Sequence, residues 1–209
     1  MRTKLQQVFK NYGELLAERI SNNILTSEDD VRYTFLYSLS KIGKYNPLEI
    51  ELEKSYKEDN LKNDKMDLYV SPKRGNDAFA VEFKYHGPKA YATARTSDAG
   101  SIFWDFAKLS GEIGKNKMSA YFVYVLDEKM KKYFEKKKSL SCLLDLSKGR
   151  LRITKVYFKE LPQTMWEWLK DKDKKYDFIT GLHCYVKSVF RSDFLKQQRH
   201  YLRIFSIER

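Results

Sequence analysis

The segments KMDLYV (65–70) and AVEFKYH (80–86) are short apolar runs with charges set inside them. A charge in a sheet core is costly unless it is paired or bound to a metal. Side chains alternate across a strand. In 78–85, alternation puts Ala78, Ala80, Glu82 and Lys84 on one face and Phe79, Val81, Phe83 and Tyr85 on the other. In 66–70 it points Met66, Leu68 and Val70 one way, and Asp67 and Tyr69 the other. Neighbouring strands in register then bring Asp67 and Glu82 together. Two such carboxylates repel, and a divalent cation relieves the repulsion. The bland alternative is a Glu82–Lys84 pair on a solvated sheet face, and E-x-K by itself is a weak signal.

The flanking sequence supplies the context. LEIELEKSY (48–56) alternates apolar and acidic residues as a strand does. Turn-rich KEDNLKND and SPKRGND separate the three strand segments, so a three-strand antiparallel meander is expected. Residues 1–20 and 27–42 read as helices, the second capped by Ser27 with Asp30 as its capping-box partner. A helix fits 98–113, where Ile102, Phe106, Leu109 and Ile113 share a face. SAYFVYVL (119–126) is a continuous apolar strand of the kind buried on both faces. EKMKKYFEKKK reads as a basic helix, LRITKVYF (151–158) as a strand and TMWEWL as helical. Residues 176–209 fit either helix or strand. The reading is an α/β fold with a mixed central sheet in the order helix, three-strand meander, helix, strand. It is a single domain over 1–209, with a core at about 27–160 and a basic C-terminal extension at about 161–209.

This arrangement resembles the PD-(D/E)XK nuclease superfamily, the restriction-endonuclease-like fold, over roughly residues 27–126. KMDLYV matches the strand with the aspartate and VEFKY the E-x-K strand. RTSDAGSIFWDFAKL matches the helix that follows and SAYFVYVL the next core strand. Met66 stands where many members carry a proline before the aspartate. The resemblance implies hydrolysis of a phosphodiester bond, with Asp67, Glu82 and the backbone carbonyl of Phe83 holding Mg²⁺, for which Mn²⁺ substitutes. It gives Lys84 the attacking water, to orient or deprotonate, or the charge building on the phosphorane, to offset. Members often have an acid on the first helix. Among Glu28, Asp29 and Asp30, only Glu28 falls on the stripe of Val31, Phe35, Leu39 and Ile42, and so aims inward. A first-turn acid complementing the helix dipole is the equal alternative for Glu28 and the favoured one for its neighbours.

The net charge is +12. Residues 1–105 carry as many basic as acidic side chains, so the whole excess lies in 106–209. A basic surface attracts phosphate backbones through counterion release, and double-stranded DNA is the expected partner. Groove readout needs Arg, Asn or Gln, which FRSDFLKQQRHYLR (190–203) contains. Arg191, Gln197, Gln198, Arg199 and Arg203 are therefore nucleic-acid-binding candidates, with Lys108. Asp105 and Lys108 border the stripe of the 98–113 helix and could face the site, with a solvated flank as the favoured reading. Asp64 rivals Asp67 but lies in the turn before the strand. His86, His183, His200, Cys142 and Cys184 show no metal-ligand spacing.

No stretch approaches the about 18 apolar residues a membrane helix needs. The N-terminal stretch has no continuous apolar segment, and the two cysteines suit a reducing compartment, so a cytoplasmic protein is expected. A homodimer is compatible with the reading. Two rivals stand beside the nuclease: a catalytically silent nucleic-acid-binding protein on the same fold, and an α/β protein whose basic half meets an acidic protein partner.

Overall fold

The computed structural model describes residues 2–25, 27–56, 64–71, 78–87, 95–115, 118–144, 149–174, 179, 182–192 and 199–209. The fold is mixed α/β, built on a seven-stranded mixed sheet in the order β1-β2-β3-β4-β7-β6-β5. Helices α1 (Arg2–Ser21) and α2 (Glu28–Lys41) precede β1 (Ile50–Ser55), β2 (Lys65–Val70) and β3 (Ala78–His86). Helix α3 (Arg95–Lys115) then crosses to β4 (Met118–Asp127). The expected meander is present: β1 pairs antiparallel with β2, and β2 with β3. β3 and β4 are parallel, as a helical crossover between them allows.

Local chemistry accounts for the boundaries. Ser27 caps α2: its hydroxyl accepts the Asp30 N–H while the Asp30 carboxylate accepts the Ser27 N–H. α4 (Glu128–Glu135) begins directly at the end of β4, where the Asp127 carboxylate accepts the Met130 N–H.

Two apolar layers sandwich the sheet. Leu68, Val70, Phe79, Val81, Phe83, Val123, Val125, Leu202 and Ile204 pack under α1 and α2. Ala80, Phe122, Tyr124, Leu126 and Phe205 face Ile102, Phe103, Phe106 and Leu109 of α3. The alternation expected for β3 holds. Met66 departs from it in β2, because it joins the α3-side layer while Leu68 and Val70 join the other.

Two further expectations are corrected. The strand expected over 151–158 is β5 (Arg150–Thr154), followed by a short helix, α6 (Lys155–Lys159). Val156, Tyr157 and Phe158 have strand propensity, but the buried Phe158 packs into the α3-side core from the helix. Residues 176–209, ambiguous in sequence, supply β6 (His183–Ser192) and β7 (His200–Glu208), and β7 lies beside β4 in the same sheet. The remaining helices are α5 (Lys138–Ser141) and α7 (Gln163–Asp173). Among the described residues no helix is long and apolar enough to cross a membrane.

Candidate active site

The β2–β3 ladder runs from Val70↔Phe79 to Leu68↔Val81 and stops there. Continued by one residue, its register sets Asp67 opposite Glu82. The β1–β2 ladder also skips this level, pairing Leu52 with Leu68 and Lys54 with Met66. Glu53, which stands between them, has a left-handed backbone with φ 51. Non-glycine residues adopt that conformation rarely, and it suits an interruption of the ladder. Asp67 is thus released from backbone pairing on both sides. Its own carboxylate takes over: Oδ2 accepts the Phe83 N–H at 2.8 Å.

β3 therefore leaves β2 with an open edge, and two acids close it. Asp67 takes the N–H of Phe83, and Glu28 Oε2 takes that of Tyr85 at 3.1 Å. Glu28 stands in the first turn of α2, so the inward aim expected of it is observed. Asp30 is used in the cap and in a pair with Arg19, and Asp29 is exposed beside Arg32. A residue in an extended strand sends its N–H and C=O to the same edge. The Phe83 carbonyl accordingly leaves on the Asp67 side.

Glu82 is 4 % exposed. It accepts a hydrogen bond from the Tyr56 hydroxyl and lies 3.6 Å from Lys108 Nζ. Burial pushes its carboxyl well above the ordinary range; Lys108 opposes this, while Asp105 and Asp67 add to it. Burial, and then the Glu82 charge, likewise raise the Tyr56 hydroxyl, which remains a donor. Tyr56 is fixed by its own N–H, donated to the Asp64 carbonyl at 3.3 Å. This is the observed place of Asp64, just ahead of β2.

Lys84 pairs with Glu28 Oε2 and Asp105 Oδ2, each at 3.7 Å, and not with Glu82. The solvated E-x-K surface pair is therefore not what forms. Burial alone would lower the Lys84 ammonium, but Asp105, Glu28, Asp67 and Glu82 together outweigh it and hold its pKa above the ordinary value. Burial similarly raises the Glu28 carboxyl, with Lys84 pulling the other way.

Asp105 and Lys108 are corrections. Neither forms a solvated flank; both face the site, the other placement open to them. Both are buried on α3, and Lys108 Nζ meets Asp105 Oδ1 at 2.9 Å. The α3 stripe is wide enough to turn this i, i+3 pair toward β3. Arg32, which the sequence reading did not single out, contacts Asp67 Oδ1 at 2.7 Å from α2. Asp29 and Glu53 flank it at 3.6 and 3.8 Å. Its spacing from Glu28 (i, i+4) was the available signal.

Four carboxylates (Glu28, Asp67, Glu82 and Asp105) thus face three cations (Arg32, Lys84 and Lys108), a formal excess of one negative charge when all are counted as ionised. Asp105 Oδ2 is buried with no hydrogen-bond partner. Such an under-neutralised, all-oxygen donor set fits a hard cation such as Mg²⁺. Among the described residues no three Asp, Glu, His or Cys side chains converge as a ligand set.

The arginine candidates separate. Arg203 is buried, donating through Nε to the Leu144 carbonyl at 3.1 Å and through Nη1 to the Leu202 carbonyl at 2.9 Å, so it serves the fold. Arg191 is exposed on β6, two strands away from β4. Arg199 is exposed, and its carbonyl accepts the Glu128 N–H at the start of α4. Gln197 and Gln198 lie outside the described residues. Lys129, Lys132, Lys136, Lys137 and Lys138 are exposed along and just after α4. α4 starts where β4 ends, and β4 runs parallel to β3 with Tyr124 beside Lys84, so this basic strip begins a few residues beyond the level of Lys84. His86 donates to or accepts from the Tyr124 hydroxyl at 2.9 Å, and His183 accepts from Arg152, so neither joins the cluster.

Comparison with family models, with curated proteins and with solved structures gave no match.

Proposed function

We propose that the protein is a metal-dependent nuclease that hydrolyses phosphodiester bonds in double-stranded DNA, in the manner of the PD-(D/E)XK superfamily and its restriction-endonuclease-like core. The observation that carries this reading is Asp67. It stands one residue past the last β2–β3 pair, level with Glu82 on continuation of the register, and its carboxylate replaces the missing backbone partner of Phe83. The order helix, meander, helix, parallel strand supports the same reading.

Asp67 and Glu82 would hold Mg²⁺, or Mn²⁺ in its place, with the Phe83 carbonyl. When bound, the ion supplies Lewis acidity toward the scissile phosphate and makes a coordinated water more acidic. The rest belongs to the chain. Arg32 and the Phe83 N–H fix the Asp67 carboxylate, and the Tyr56 hydroxyl fixes that of Glu82. Lys84, held as an ammonium by Glu28 and Asp105, orients the attacking water and offsets charge building on the phosphorane. The lysines of α4, with Arg199, grip the DNA backbone without reading sequence. The two free thiols, Cys142 and Cys184, accord with a cytoplasmic enzyme.

The test is incubation of supercoiled plasmid with the protein in Mg²⁺, Mn²⁺ or EDTA, alongside Glu82→Gln. Nicking or linearisation that requires the divalent ion and vanishes in Glu82→Gln is expected. Salt-sensitive binding without cleavage in any ion would instead favour the silent DNA-binding reading. Neither binding nor cleavage would favour an acidic protein partner.

A further inference from the structure

We propose that Lys108 is a tethered cation filling the place of a second divalent ion, so that the site works with one metal, held by Asp67 and Glu82. The inference rests on the nuclease reading above and specifies its metal count. Asp105 and Lys108 are one helical turn apart on α3 and face the same way. The Lys108 ammonium lies 2.9 Å from Asp105 Oδ1 and 3.6 Å from Glu82 Oε1. Its third side is the Tyr56 ring, whose centroid is 5.5 Å away. Two buried carboxylates from different elements therefore converge on one ammonium.

Without the ammonium, the same place would be a paired-carboxylate pocket. Its two walls are Glu82 Oε1 and Asp105 Oδ1, both on side chains that are at least nine-tenths buried. A magnesium ion bridging the two acids would draw each oxygen to about 2.0–2.1 Å, closer than the 2.9 and 3.6 Å at which the ammonium now holds them apart. The two cations exclude each other by volume and by charge. The Asp67 side of Glu82 is different. Its oxygens are engaged by Arg32 and by the Phe83 N–H, and Lys108 does not reach them. One metal position is thus left to an ion, and the other is occupied by a side chain. Asp105 is the positioning residue for this arrangement, since its two oxygens face Lys108 and Lys84.

The experiment counts bound Mn²⁺ by the paramagnetic resonance signal of the free ion, on the full chain without DNA. The wild type is expected to bind one Mn²⁺, Lys108→Met two, and Lys108→Met/Asp105→Asn one again. Lys108→Arg should stay at one. A merely structural lysine would not raise the count on removal. Two ions in the wild type, or one in Lys108→Met, would overturn the inference. One ion in both leaves the nuclease reading standing, whereas none in the wild type removes that reading and this inference together. If Lys108→Met does not fold, Lys108→Gln keeps an amide donor for Asp105. Two Mn²⁺ are expected there as well, and a single ion overturns the inference.

Discussion

Arg32→Met separates what holds Asp67 in the metal-free protein from what holds it in the loaded one. The Arg32–Asp67 contact is 2.7 Å long, and the two side chains are only 13 % and 16 % exposed, so water screens it weakly. Removing one partner of a fully buried pair costs roughly 3–5 kcal/mol, and a hydrogen bond to a charged group contributes about 1.5–3 kcal/mol. Asp67 keeps the Phe83 N–H, which puts the expected loss at about 2–3 kcal/mol. The contacts of Arg32 to Asp29 and Glu53 are longer and involve exposed acids, so they add little. A divalent ion on Asp67 would replace the lost positive charge and would no longer be repelled by the guanidinium. If half of the loss returns on binding, Mn²⁺ affinity rises about tenfold, since about 1.4 kcal/mol is a factor of ten. Both proteins gain stability from the bound ion, so in saturating Mn²⁺ the tenfold difference in affinity returns about 1.4 kcal/mol of the loss. The assay is urea unfolding followed by tryptophan fluorescence, in EDTA and in Mn²⁺, for both proteins. The variant should be less stable in EDTA, and its deficit should shrink by about half in saturating Mn²⁺, with unchanged denaturant slope. An equal deficit in both conditions would refute the reasoning, because Asp67 would then not be a place where a cation binds.

Other perturbations test separate parts of the account. Glu28→Gln should weaken cleavage because Glu28 faces Lys84 and the Tyr85 N–H, while Asp29→Asn leaves it unchanged. Asp30→Asn should leave activity but cost about 1 kcal/mol of stability by damaging the α2 cap, readable in thermal or urea unfolding. Lys132→Glu and Lys136→Glu should each reduce the salt slope of DNA binding by roughly one unit per lost phosphate contact, with cleavage surviving at saturating DNA. His86 is buried and its pKa is lowered to about 3, first by burial and then by Lys84. The unfolded chain therefore takes up this proton first, and stability is lost as pH falls from about 6.5 toward about 3. Between pH 7 and 5 the loss from this group is about 2 kcal/mol, and His86→Gln, measured by urea unfolding at both values, should lack it.

Much of the site was legible because strand periodicity is a strong constraint. Asp67 and Glu82 fall opposite each other as soon as KMDLYV and AVEFKYH are neighbours in register, and Ser27 and Asp30 mark the α2 start from composition alone. The helical wheel also aimed Glu28 correctly. What stayed hidden depends on long side chains that reach across elements. Arg32 meets Asp67 thirty-five positions away, and Tyr56 meets Glu82 from just beyond β1. Lys108 looked like a solvated or DNA-facing charge because a helix flank and a buried ion pair have the same sequence period. Arg203 was misplaced because β7, with polar residues among its apolar ones, gave no clear period, so its burial between β4 and β6 was not evident. The strand-like VYF at 156–158 is helical because tertiary packing of Phe158 overrides local propensity.

The central claim is that the Asp67–Glu82–Lys84 constellation performs chemistry and is not a device for binding DNA. Lys84→Ala tests it most directly, by a salt-dependent binding isotherm and single-turnover cleavage on the same duplex, with Mg²⁺ saturating. One lysine among 40 Lys+Arg adds little to counterion release, so binding should stay within a few fold. Cleavage should fall by ~10² or more, the usual scale for a positioned group serving the attacking water. Cleavage by Lys84→Ala at the wild-type rate would contradict the account.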